Sequence, residues 1–208
     1  MNIFINGLLT GLTLQLAIGP VFFFIINLAL QRSFIDGFAG VLAVTLVDYL
    51  YISLAIVGIG KLIEHKKVKK PFGIISSGVL IILGSLILKG AVNGNTLNIL
   101  TIASTGILTS FTSVFLITIS SPQTIVTFTS LFTAKAVEYN YTRKELLIFG
   151  LGTGFATFLF MGLSVMIFSL IKGTVPALLI QLLNGIVGGL LIGYGILRFW
   201  KISQRENK

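Results

Sequence analysis

The stretch AIGPVFFF, residues 17–24, sets a Gly-Pro pair inside an otherwise unbroken apolar run. Glycine weakens a helix, and proline removes a backbone donor while clashing with the preceding turn. The run around the pair, residues 4–30, is long enough to cross a hydrocarbon core, which takes about 20 residues. A break near its middle is either a kink that neighbouring helices absorb or a deliberate interruption of the helix.

Composition decides the solvent. The chain has 208 residues, of which 55% are hydrophobic and 10% charged. Soluble domains carry about 25% charged residues, so the chain reads as an integral membrane protein. Without cysteine it has no structural disulfide, thiolate metal site or cysteine nucleophile. Its one histidine, His65, stands among lysines, which argues against a His-rich metal site. The net charge of +9 comes from basic residues placed between apolar runs, so it points to membrane orientation and not to nucleic acid. No basic segment precedes the first apolar run, which is therefore expected to be a retained helix. No motif calls for a cofactor.

Six apolar segments follow the same logic: 4–30, 37–60, 71–91, 105–133, 146–171 and 176–199. They are continuous and do not alternate, so they are helices and not barrel strands. The expected fold is an all-α membrane protein with six transmembrane helices in a single domain over 1–208. On one side of the bilayer would lie both termini and the 2–3 and 4–5 connections, with twelve Lys and Arg; the other side has Arg32, Lys89 and Lys172. Positive residues favour the cytoplasm, so both termini are expected there, in a multi-pass protein of the cell (inner) membrane. The run HKKVKK at 65–70 is read as part of that topology signal, with an anionic-lipid patch as its alternative. Trp200, Tyr139 and Tyr141 fall near span ends, where amphipathic rings favour the interface.

The chain also looks doubled. Pro20 and Pro122 lie mid-way along spans 1 and 4, 102 residues apart. GVLIILGSLI at 78–87 weakly echoes GGLLIGYGIL at 188–197. A repeat of three spans must insert upside down, so an inverted repeat is expected, 1–95 against 105–201, with helices 1 and 4 broken at proline. Broken helices at matching places point to a midplane transport site. Span 4 contains fourteen Ser and Thr between 104 and 133, around Ser121-Pro122-Gln123. Many of these are packing devices, but the density suits a helix lining a wet path. Gly pairs at 7/11, 150/154, 185/189 and 189/193 have the spacing of close helix packing.

One acid, Asp48, lies mid-span in LAVTLVDYLYISLAI. An aspartate there costs roughly 2.5–3.5 kcal/mol on insertion scales, which makes it a functional candidate, either loading a proton or pairing with a cationic amine. Tyr49 or Tyr51, and Thr45 one turn back, could supply hydroxyls beside it. Asn27 in span 1 either bonds a solute or joins helices.

These motifs together resemble the LysE (lysine exporter) family of amino-acid export proteins, which includes the homoserine/threonine exporters. The family's Pro-Gly-Pro corresponds to Ile18-Gly19-Pro20, and its arginine-containing turn to LALQRSFIDGFAG at 28–40. Its Asp with a nearby Tyr corresponds to VDYLY at 47–51, and its Asn-Pro-Lys to Ser121-Pro122-Gln123. Ile18, Ser121 and Gln123 depart from the pattern, and the lost lysine removes a cation from the second break. The resemblance implies a transporter, not an enzyme, that exports amino acids or similar small metabolites using the proton gradient. Its substrate or coupling residues would be Gly19, Pro20, Asn27, Asp48, Tyr51, Ser121, Pro122 and Gln123, with a small molecule, protons and the bilayer as partners. A homo-oligomer stays open. The competing readings are a divalent-metal exporter using Asp48 and Asn27, a membrane assembly factor, and an intramembrane enzyme.

Overall fold

The computed structural model describes residues 2–16, 18–58, 66–92, 106–174 and 176–204. All regular structure among them is helical. The helices are α1 (Ile3–Gln15), α2 (Pro20–Gln31), α3 (Phe34–Val57), α4 (Lys66–Val92), α5 (Ile107–Ile119), α6 (Pro122–Glu138), α7 (Arg143–Leu170) and α8 (Ala177–Gln204), with a short 3-10 turn at Lys172–Thr174. His65, the 3–4 connection and the last four residues lie outside the described residues.

Both prolines break the chain where the sequence placed them. Pro20 is the first residue of α2, behind an extended Gly19, and α1 and α2 meet at 83°. Pro122 is the first residue of α6, behind an extended Ser121, and α5 and α6 diverge by 62°. Proline fits position N1 because the amide it lacks has no partner inside a helix. The ends elsewhere are capped in ordinary ways. Ser33 accepts from the Asp36 amide at 3.1 Å, Thr142 and Glu145 form a reciprocal capping box, and Gly58 ends α3 with φ +81°.

Three helices, Phe34–Val57, Arg143–Leu170 and the Leu178–Leu197 part of α8, are long and apolar enough to cross a membrane, and each bent pair adds one more. The sixth expected span is α4. Its described apolar stretch, Ser77–Lys89, is shorter than a crossing.

Small residues set which helices touch. α1 runs parallel to α7, and a Cβ on Gly7 or Gly152 would collide with the carbonyl of Phe149 or Phe4. α3 runs parallel to α5, pairing Asp36 with Ser110 and Gly40 with Val114. α3 and α7 cross in opposite directions, with Tyr49 against Gly154 and Ile52 against Gly150. α4 and α8 pack closely through Gly84, Gly188 and Gly195. This last contact corrects the spacing argument for span 6. Gly185, Gly189 and Gly193 face open space, and the close face is the one carrying Gly188 and Gly195.

The core is mainly apolar. Phe22, Ile25, Ala29, Val41, Val114 and Val165 join α2, α3, α5 and α7 in one cluster. Val47, Ile125, Phe132 and Phe149 join α3, α6 and α7 in another. Many leucines and isoleucines on the outer faces, such as Leu46, Leu163 and Leu182, are exposed, as lipid-facing positions should be.

Candidate functional site

Asp48 is buried on α3, with 5% exposure. Its Oδ2 accepts a 2.7 Å hydrogen bond from the Thr157 hydroxyl on α7. The same Thr157 oxygen accepts from Gln15 Nε2 at 2.6 Å. Gln15 is the last residue of α1, at the edge of the first break. The Gln15 donor occupies the lone-pair side of Thr157, so the threonine proton is directed to the carboxyl. A relay therefore runs from the first broken helix to the buried acid.

Tyr51, one turn further along α3, reaches the other break. Its hydroxyl donates to the Ile119 carbonyl at 2.7 Å, and Ile119 is the last residue of α5. That carbonyl belongs to the final turn of a helix, where intrahelical partners run out. α3 thus holds both interruptions, one through Asp48 and one through Tyr51.

The other expected residues fall as follows. Tyr49 donates to the Leu151 carbonyl at 3.1 Å, and Thr45 bonds back to Val41, so neither hydroxyl serves Asp48. Gly19 caps α2 with no side chain, and Phe22 N donates to its carbonyl at 3.1 Å. Ile18 stands half-exposed beside it. Ser121 Oγ accepts from Thr124 Oγ1 at 3.1 Å. Pro122 and Gln123 are described at the level of the backbone, as the opening residues of α6. Several span 4 hydroxyls are spent locally: Thr112, Thr118 and Thr129 each bond the carbonyl four residues back.

Asn27 is not part of the Asp48 group. Its Nδ2 donates to Asn184 Oδ1 on α8 at 2.5 Å, and Gln31 Nε2 donates to both Asn27 Oδ1 and Asn184 Oδ1. Among the described residues no hydrogen bond joins this trio to Asp48 or Thr157.

At the end of the bundle carrying the α2–α3 turn, charges gather. Arg32 Nη1 donates to Ser110 Oγ at 3.1 Å and lies 3.8 Å from Asp36. Ser110 donates to Asp36 at 2.6 Å, and Lys172 Nζ donates to the Arg32 carbonyl. Burial lowers the Arg32 guanidinium from its ordinary value, and the Asp36 charge opposes that shift. At the opposite end, Asn6 bonds Tyr141 at 3.4 Å and Lys135 lies 4.4 Å over the Tyr139 ring.

Sequence reasoning singled out Asp48 and both prolines but passed over Gln15, Thr157, Gln31 and Asn184, which the structure sets beside Asp48 or Asn27. A polar side chain within an apolar span was the signal for Asn27, and it applied equally to Asn184.

Apolar helices bent around a buried acid, with lipid-facing side chains on their outer surfaces, define a multi-pass helical membrane protein. The chain belongs to the LysE type translocator family, whose model matches residues 12–199. Members of that family are membrane transporters and not enzymes, so a small-molecule substrate and a lipid bilayer are its working partners. No curated protein and no solved structure matches the chain.

Proposed function

We propose that the protein is a secondary transporter of the inner membrane that exports amino acids or similar small zwitterionic metabolites against proton entry. The observation that carries this reading is the double tether of α3. Asp48 is bonded through Thr157 to the end of α1, and Tyr51 is bonded to the end of α5. A carboxyl so placed registers the geometry of the first break. Movement of α1 against α7 would withdraw Gln15 and free the Thr157 hydroxyl to turn away. Asp48 would then exchange a donated hydrogen bond for a proton or for the amine of a solute.

The interrupted ends at Gly19-Pro20 and Ser121-Pro122-Gln123 would meet the remaining polar groups of the solute, with helix N-termini favouring its carboxylate. Asp48 and Tyr51 would line the opposite wall, while Asn27 would act from a separate position. In this reading α4 completes six crossings and both termini are cytoplasmic. Residues 1–95 and 105–201 form an inverted repeat. The pairing supports the repeat: α1 with α7 and α5 with α3 are parallel equivalents, while α3 with α7 and α4 with α8 are each self-related. A proton crossing 100 mV supplies about 2.3 kcal/mol, enough for roughly a fiftyfold gradient.

The test is counterflow in proteoliposomes with labelled amino acids and, in parallel, divalent cations. Saturable exchange of one or more amino acids is expected. Cation movement with no amino-acid exchange would refute the reading.

A further inference from the structure

The trio between α2 and α8 has a feature that joining two helices does not require. Asn184 is 1% exposed, and its Nδ2 has no hydrogen-bond partner. Its oxygen is saturated by Asn27 and Gln31, so both N–H groups of the amide are presented without an acceptor. Buried polar groups are ordinarily paired, and a buried amide donor left open beside two paired amides is a position where a solute acceptor would be satisfied. Asn184 is the one such buried side-chain atom among the described residues. As oriented, with Asn27 and Gln31 both donating to the Asn184 oxygen, the open group is the amide donor.

Its position is distinct from that of Asp48. Neighbouring residues of α2 pack at the level of Gly37 and Gly40, Ala29 on the first and Ile25 on the second. Asp48 lies eight residues beyond Gly40 on α3, about 12 Å along the axis at 1.5 Å per residue. The trio therefore lies between the acid and the Arg32 end of the bundle. Gln31 is followed directly by Arg32, whose carbonyl receives Lys172, and Asp36 is the acid recorded among these groups. Two cations and one anion leave the local field positive, which favours an anionic acceptor at the open amide.

We propose that Asn184, held by Asn27 and Gln31, is a second solute station that takes the carboxylate of the transported molecule on its way between Asp48 and the Arg32 end. This rests on the amino-acid reading above. Gln31, partly buried at the last position of α2, sets the side of the station that faces the Arg32 end. Asn27 and Gln31 are positioning residues that fix the Asn184 amide through its oxygen.

The experiment uses the full chain in proteoliposomes. The solutes are the twenty labelled amino acids and, for whichever one moves, its decarboxylated amine, which lacks the carboxylate. Wild type is expected to prefer the acid over the amine. Asn184→Leu, of similar volume, should raise KM for the acid about tenfold, the worth of one good hydrogen bond, and leave KM for the amine unchanged. Asn184→Gln, which keeps the donor, should recover part of the preference, and a melting curve of each variant in detergent establishes that it is folded. If Asn184→Leu slows acid and amine by the same factor, or, where it does not fold, Asn184→Ala keeps the wild-type preference at a lowered Tm, the residue is interhelical packing and the station is refuted. If no amino acid moves in wild type, the transport reading falls and the station falls with it. Amino-acid movement with an acid-to-amine ratio that Asn184→Leu leaves unaltered removes the station alone.

Discussion

Thr157→Val isolates the relay between the first break and the buried acid, because it removes one hydroxyl and leaves a side chain of the same shape. The lost group makes two interhelical bonds, 2.6 Å from Gln15 and 2.7 Å to Asp48. Interhelical hydrogen bonds in membrane proteins average about 0.6 kcal/mol and reach about 1.7, so the pair is worth roughly 1.2 kcal/mol with a ceiling near 3.4. Reversible unfolding in mixed micelles should therefore show a loss of about 1–3 kcal/mol. The decisive quantity is non-additivity. Gln15→Leu should cost about 0.6 kcal/mol in wild type and close to nothing in the Thr157→Val background, since its partner is already gone. Proton-driven transport should fall with Thr157→Val, because the acid loses its link to the moving helix. Additive costs for Gln15→Leu and Thr157→Val would refute the relay.

Three further outcomes follow from the packing. Gly152→Ala should destabilise by about 1–3 kcal/mol, because its Cβ meets the Phe4 carbonyl of a neighbouring helix and backbone cannot step aside. Gly189→Ala, which faces open space on α8, should instead raise Tm, the helix gaining about 0.5–1 kcal/mol from the better helix former. Tyr51→Phe removes the donor to the Ile119 carbonyl and should lower stability by about 0.6–1.7 kcal/mol while slowing exchange, measured by melting and counterflow on the same preparation. Ser110→Ala opens the bridge between Arg32 and Asp36, and should speed hydrogen exchange at the amides of the α2–α3 turn relative to the Tyr141 end.

The parts of this molecule that were legible in sequence are those with a local physical signature. Pro20 and Pro122 announce their breaks because a proline in an apolar span removes a backbone donor and clashes with the preceding turn, at a cost of about 3 kcal/mol. Asp48 announces itself because a mid-span carboxyl is costly anywhere. The partners of Asp48 carried no such mark. Thr157 is one of many threonines in apolar segments, and only the fold brings it beside a residue 109 positions away. Tyr49 or Tyr51 was expected to serve Asp48 because all three lie on one helix, yet the Tyr51 hydroxyl donates to the terminal carbonyl of Ile119 and the Tyr49 hydroxyl to Leu151. The glycines of span 6 were misassigned for a related reason. A segment with glycine at 185, 188, 189, 193 and 195 contains several candidate faces, and spacing alone does not choose the one that α4 covers.

The most direct measurement compares two modes of transport in proteoliposomes carrying Asp48→Asn. Exchange of labelled for unlabelled amino acid needs the solute site but no net proton movement, whereas export driven by an imposed pH gradient needs a group that takes up and releases a proton. With Asp48 as that group, the variant loses the response to the pH gradient, and whatever counterflow it keeps no longer depends on that gradient. A variant that still accumulates solute in proportion to the imposed gradient would contradict the account.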